Sequence, residues 1–137
     1  MNSRIELKLP SQMTFLGIPD AVLLEIGSDL DCPRNLIEEL GTAVIEACTN
    51  AMEHGNGLDA DRSVEIHIEV GERRIEVSVM DEGQGFDYDR WQPAEDLLRE
   101  RGRGILIMRE FSDQLVYDRL PDGRFRVTLA KNLTNSD

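Results

Sequence analysis

Glu46, Asn50 and His54 recur at four-residue steps through an otherwise apolar stretch. A carboxylate, an amide and an imidazole can take a proton, ligate a hard cation or donate to an anion. Residues four apart share one side of a helix, so a helix here would present all three to one cleft. At about 100° per residue the line runs beside the apolar stripe and drifts toward it. Solvated helix surface has the same look, although Asn inside a helix is mildly unfavourable. A second constellation, Asp81-Glu82-Gly83-Gln84-Gly85-Phe86, follows directly on an alternating apolar run. An aspartate at a strand end can accept a hydrogen bond from an exocyclic amine. Alternate glycines let the backbone pass close to a flat ligand. Taken alone, the hexapeptide reads equally as a turn. The third piece, Gly102-Arg103-Gly104, opens a helical stretch. Unpaired N–H groups and the helix dipole suit phosphates there, and a plain hinge has the same composition. No Gly-Lys-Ser/Thr follows, and the dinucleotide fingerprint is absent.

The elements that must hold these groups follow from periodicity. Ile5, Leu7 and Leu9 alternate with Glu6 and Lys8, a short strand ending at Pro10. Val22, Leu23, Ile26 and Leu30 predict a helix from about Pro19 to Leu30. Asp31-Cys32-Pro33 starts a longer one, Pro33 to Glu53, with Leu36, Ile37, Leu40, Ala43, Val44, Ala47 and Ala51 on one face. Gly55-Asn56-Gly57 ends it. Val64 to Val70 and Ile75 to Val79 alternate around Gly71-Glu72-Arg73 as a hairpin. From Asp81 to Gly104 there is no core periodicity, so a functional loop is expected, with one helical turn near Leu97 and Leu98. A helix resumes from Ile105 to Phe111, and Leu115 to Tyr117 pairs with Phe125, Val127 and Leu129 through Pro121-Asp122-Gly123. The tail from about Asn132 is expected to fray. Helices and hairpins in blocks argue for an α+β fold. The expectation is a two-layer sandwich, a mixed or antiparallel sheet with helices on one face, in a single domain spanning 1–137.

The chain carries 27 acidic and 15 basic residues, a net charge of −12. That field repels DNA, RNA and anionic membranes. A phosphate ligand must therefore be held by local backbone donors, a cation or a few arginines. No apolar run approaches the roughly 20 residues of a membrane span, and the N-terminus lacks a secretory layout. Cys32 and Cys48 have no metal-ligand spacing, so a cytoplasmic, reducing location is expected.

In this order the three pieces are more specific than any one alone. Glu46-Ala47-Cys48-Thr49-Asn50-Ala51-Met52-Glu53-His54-Gly55 resembles the N box of the GHKL (Bergerat-fold) ATPases. Asp81 to Phe86 resembles their first glycine box, and Gly102-Arg103-Gly104-Ile105 their second. The spacing and short lid are similar to the anti-sigma factor serine/threonine kinases, over about Leu36 to Leu133. The resemblance implies ATP and Mg²⁺ as cofactors. It assigns Asn50 to Mg²⁺, Glu46 to general base and Asp81 to the adenine amine, with His54 of the same N box on the nucleotide. Gly83 and Gly85 would shape the adenine pocket, and Gly102 and Gly104 would receive phosphates. A lid arginine would reach the γ-phosphate, and Arg99, Arg101 and Arg103 are all candidates. The implied partners are an anti-anti-sigma (STAS-type) protein and a sigma factor, with a homodimer as the expected assembly. One departure stands out: the family's closing Gly-Thr-x-Val or Gly-x-Thr-Val is here Gly123-Arg124-Phe125-Arg126-Val127, without the threonine. The alternatives are a nucleotide-binding switch that has lost phosphoryl transfer and a histidine-kinase ATPase fragment. The second is less favoured, for want of a dimerising helix with a phospho-acceptor histidine. Topoisomerase and mismatch-repair roles need further domains.

Overall fold

The computed structural model describes residues 3–83 and 100–134. Gly85, Phe86, Arg99, most of the expected lid and the helical turn near Leu97 and Leu98 lie outside the described residues.

Strict two-residue alternation makes the sheet. The strands are β1 (Ser3–Pro10), β2 (Ser63–Val70), β3 (Arg74–Asp81), β4 (Gln114–Arg119) and β5 (Phe125–Asn132). Every pairing is antiparallel, in the order β1-β2-β3-β5-β4. One face is apolar and covered: Val64, Ile66 and Ile68 of β2, Ile75 and Val77 of β3, and Leu129 of β5 are fully buried. The other carries the polar half of the alternation, such as the cross-strand pair Asp118 and Arg126. The Arg126 hydrogen bonds to that carboxylate, 2.9 and 2.6 Å, hold Asp118 below the ordinary aspartate range.

Three α-helices are described: α1 (Gly17–Asp29), α2 (Arg34–Asn50) and α3 (Glu100–Phe111). α2 is the central one. Its buried residues, Ile37, Leu40, Ala43, Val44 and Ala47 among them, fall at three- and four-residue steps against the sheet. Each large aliphatic side chain so buried contributes about 1.5–3 kcal/mol. Leu23 of α1 and Ile105 and Met108 of α3 flank it in the same core.

Three boundaries differ from the sequence reading. The regular α2 stops at Asn50 and gives way to a π turn, Ala51–Gly55. α3 starts at Glu100, ahead of the glycines that were to open it. The chain also stays packed past Asn132: Leu133 is 2% exposed, and its N–H donates to the Arg73 carbonyl at 2.8 Å. Lys131 helps hold that end. It points to the buried side of β5, where its ammonium meets Glu39 Oε2 of α2 at 2.7 Å.

Candidate nucleotide site

The helix that carries Glu46 and Asn50 runs on into a π turn. The Asn56 N–H donates to the Ala51 carbonyl at 2.8 Å, five residues back, and the Leu58 N–H to Met52 at 2.7 Å. His54 lies within this π turn, beyond the regular helix that carries Glu46 and Asn50. It is exposed, with Nε2 3.9 Å from Glu53 Oε2. Glu46 and Asn50 remain one helical turn apart and half-buried.

Both face α3. A Cβ placed on Gly104 would sit 2.8 Å from Glu46 Oε2 and 3.7 Å from Asn50 Nδ2. A glycine costs a helix interior about 1 kcal/mol, and the room it leaves for Glu46 accounts for it here. Arg101, Gly102, Arg103 and Gly104 all lie within α3 as described from Glu100. Gly104 packs against the Glu46 carboxylate, and Arg103 is exposed.

Asp81 closes β3 and is 5% exposed. Its Oδ1 accepts the Gly83 N–H at 2.8 Å. A Cβ on Gly55 would overlap the Asp81 carboxyl, and one on Gly83 would overlap the Gly55 carbonyl. The turn that ends the Glu46–Asn50 helix is thus pressed directly onto the strand end that carries Asp81.

Between them lies a pocket whose polar members are Asn50 and Asp81, and whose apolar wall includes Met108, Val127, Tyr117 and Phe125. An apolar cleft with a few convergent polar groups is what a nucleobase requires. Tyr117 and Phe125 stack with ring centroids 5.7 Å apart, and the Arg119 guanidinium lies 5.9 Å from the centre of Phe125. The cavity measures about 20 Å³, the room of about one water molecule. The sequence reading missed this wall, having treated Phe125 only as a strand residue in a segment that lacks a threonine. It also missed Asn56, 2% exposed beneath the turn, whose one signal was an asparagine set between two glycines. Among the described residues, no three His, Cys, Asp or Glu side chains form a metal cage. No described helix is long and apolar enough to cross a membrane.

A nucleotide-binding α+β sandwich is the class these features define, and comparison with known proteins agrees. The histidine kinase-like ATPase domain matches residues 20–131, and the chain belongs to that family. It is similar to the serine-protein kinase RsbW of Bacillus subtilis (strain 168), with 38% identity over 120 residues, 81% of this chain and 75% of the relative. With the serine-protein kinase RsbW of Listeria monocytogenes it shares 29% over 130 residues, 86% and 82% of the two chains. Among solved structures, the SiaB-SiaC complex of Pseudomonas aeruginosa matches at a TM-score of 0.69 and 14% identity, over 92% of this chain and 88% of that one. The RsbU and RsbW domains of a Mycobacterium tuberculosis protein match at 0.68 and 16%, over 95% of this chain and 33% of that one. The chain thus spans a third of the mycobacterial protein, and both likenesses speak for the fold. The enzymatic class of the chain is protein serine kinase, and its nucleotide is ATP.

Proposed function

We propose that the chain transfers the γ-phosphoryl group of ATP to a serine of an anti-anti-sigma (STAS-type) protein in the cytoplasm, and otherwise sequesters a sigma factor. The observation that carries the catalytic part is the placement of Glu46 and Asn50 together against Gly104 at the start of α3. The names of the RsbW relatives support the kinase class, and their shared length supports transfer of the role to this chain.

The parts divide as follows. Asp81 accepts the adenine amine, and Gly83 and Gly85 are assigned to shape the adenine pocket. Tyr117 and Phe125 give the base a flat wall. The backbone at Gly102 and Gly104 receives phosphate oxygens, with Arg101, Arg103 or Arg99 on the γ-phosphate and His54 at the nucleotide's margin. Gly104 leaves Glu46 its place. Glu46 takes the proton of the attacking serine hydroxyl as the oxygen–phosphorus bond forms and ADP leaves. Asn50 offers one amide oxygen to Mg²⁺, which suits an ion that keeps most of its shell for phosphates and water. When bound, the ion neutralises charge developing on the phosphates. A homodimer is the expected assembly.

Glu46→Gln tests the reading. ADP should still bind, while phosphoryl transfer to a co-purified partner should slow by about 10²–10⁴-fold. Transfer at the wild-type rate would reduce Glu46 to helix surface. The second reading, a nucleotide switch without transfer, is favoured by Gly123-Arg124-Phe125-Arg126-Val127, which lacks the family's threonine. It predicts ATP binding with no phosphorylated partner from the wild type either.

A further inference from the structure

Both N–H groups of the Asn56 amide and its oxygen have partners within the fold. Its Nδ2 donates to Ser11 Oγ at 2.8 Å and to the Ser63 carbonyl at 3.1 Å, and its Oδ1 accepts the Glu82 N–H at 2.8 Å. The Ser63 N–H in turn donates to Glu82 Oε2 at 2.9 Å. Ser63, Glu82 and Asn56 therefore form a closed ring of three donations. Ser11, fully buried, passes its own hydroxyl to the Arg62 carbonyl at 2.9 Å.

This ring joins three segments that sequence separates: the turn after α2, the first residue of β2, and the residue just beyond Asp81. The bond to the Glu82 amide is the one with functional reach. It fixes the peptide unit between Asp81 and Glu82. Beyond it, Gly83 N–H reaches back to Asp81 Oδ1, and Gly83 lies against the Gly55 carbonyl. The same turn continues from the helix that carries Asn50 and Glu46. The anchor of the network is buried Asn56, and a slip there would leave its amide unpaired, whereas the Glu82 carboxylate end is exposed.

We propose that Asn56 is a positioning residue for the nucleotide: it fixes the Asp81 carboxylate relative to Asn50, and so the span between the base end and the phosphate end of the site. This rests on the reading of Asp81 as the contact for the adenine amine. A merely structural role would lower stability and leave the affinity of the folded fraction intact.

Calorimetry with ADP separates the two, since unfolded protein lowers the binding stoichiometry and leaves the dissociation constant alone. Asn56→Ala removes the acceptor of the Glu82 amide. Ser11→Ala removes the acceptor of the other Asn56 N–H, outside the ring, and leaves the Glu82 bond in place. Both should lower the melting temperature. Only Asn56→Ala should weaken ADP, by about tenfold or more, and it should also narrow the preference for ATP over GTP. Wild-type affinity in folded Asn56→Ala, or equal weakening in Ser11→Ala, overturns the proposal. A wild type that binds neither ATP nor ADP overturns the nucleotide reading and this proposal with it. Amide hydrogen exchange on the wild type supplies a measurement that needs no variant. The Glu82 amide should exchange as slowly as those of central β3, and exchange at the rate of an exposed loop overturns the clamp.

Discussion

Asp81 and Phe125 are partners across the β3–β5 ladder, and both line the same pocket. One rung thus offers a hydrogen-bonding edge and a flat apolar face. Stacking and edge recognition are separable contributions to holding a base, the first indifferent to its identity and the second not.

Removing the ring should therefore cost affinity without changing base choice. Phe125→Ala is expected to weaken ADP and GDP alike, by about 1–3 kcal/mol for a lost stacking partner. Asp81→Asn should instead erode the preference for adenine. Titrations of both variants with the two diphosphates check this. An unchanged ADP constant in folded Phe125→Ala would place the base elsewhere.

The glycines of the site should divide by what they touch. At Gly104 a Cβ meets the tip of Glu46, a movable side chain; at Gly83 it meets the backbone carbonyl of Gly55. Gly104→Ala should fold with a melting temperature near wild type and transfer phosphate at least tenfold more slowly, because Glu46 is displaced. Gly83→Ala should lose stability by about 1–3 kcal/mol, as overpacking does. Thermal melts and single-turnover transfer on both variants decide. A fully active Gly104→Ala contradicts the close approach to Glu46.

Breaking one partner of a buried ion pair costs more than replacing its charge with an apolar chain of similar length. Lys131 is 6% exposed and bonded to Glu39. Glu39→Gln should destabilise the protein by about 1–3 kcal/mol, since it leaves a buried ammonium with a weaker partner. Lys131→Met should stay close to neutral. Chemical denaturation gives both numbers, and the reverse order would show that the pair stabilises mainly through its charge.

Burial pushes the Cys48 thiol up to about 12, above the roughly 8.5 of an unfolded chain. The folded state holds this proton more tightly, so the contribution to stability is complete below about pH 8.5 and is lost as pH rises toward 12. Cys32 is raised as well, by burial and then by the Asp31 charge. At neutral pH Cys48 should resist maleimide in the native protein and react quickly in denaturant. Equal rates in the two conditions would contradict its burial.

How far these features were legible in the sequence depends on whether they repeat. β2 and β3 alternate without a break, and α2 keeps its apolar step through Ala47, so both were plain. The π turn was not: Ala51-Met52-Glu53-His54 continues the apolar and polar spacing of a regular helix, and only the hydrogen bond of Asn56 to Ala51 reveals the change. The start of α3 was placed late because glycine reads as a breaker, whereas Gly104 is there to spare Glu46 a collision. The tail from about Asn132 looked frayed, yet Leu133 is buried, and Lys131 just before it meets Glu39 across the sheet–helix interface. Glu46, Asn50 and Asp81 were legible as candidates from residue type and spacing. Asn56 was not, since a residue that satisfies two backbone groups and a hydroxyl elsewhere in the chain leaves no local pattern.

The strand order has a consequence for how the molecule comes into being. β5 follows every other described element in the chain, yet it lies between β3 and β4. Synthesis delivers the sheet with its inner rung missing. Until Phe125–Asn132 leaves the ribosome, β3 has an open edge and β4 has no neighbour, and Asp81 stands without the aromatic wall opposite. Unpaired edges of this kind invite wrong pairings in nascent chains. The nucleotide pocket is thus among the last features to assemble, and a truncated translation product would lack it altogether.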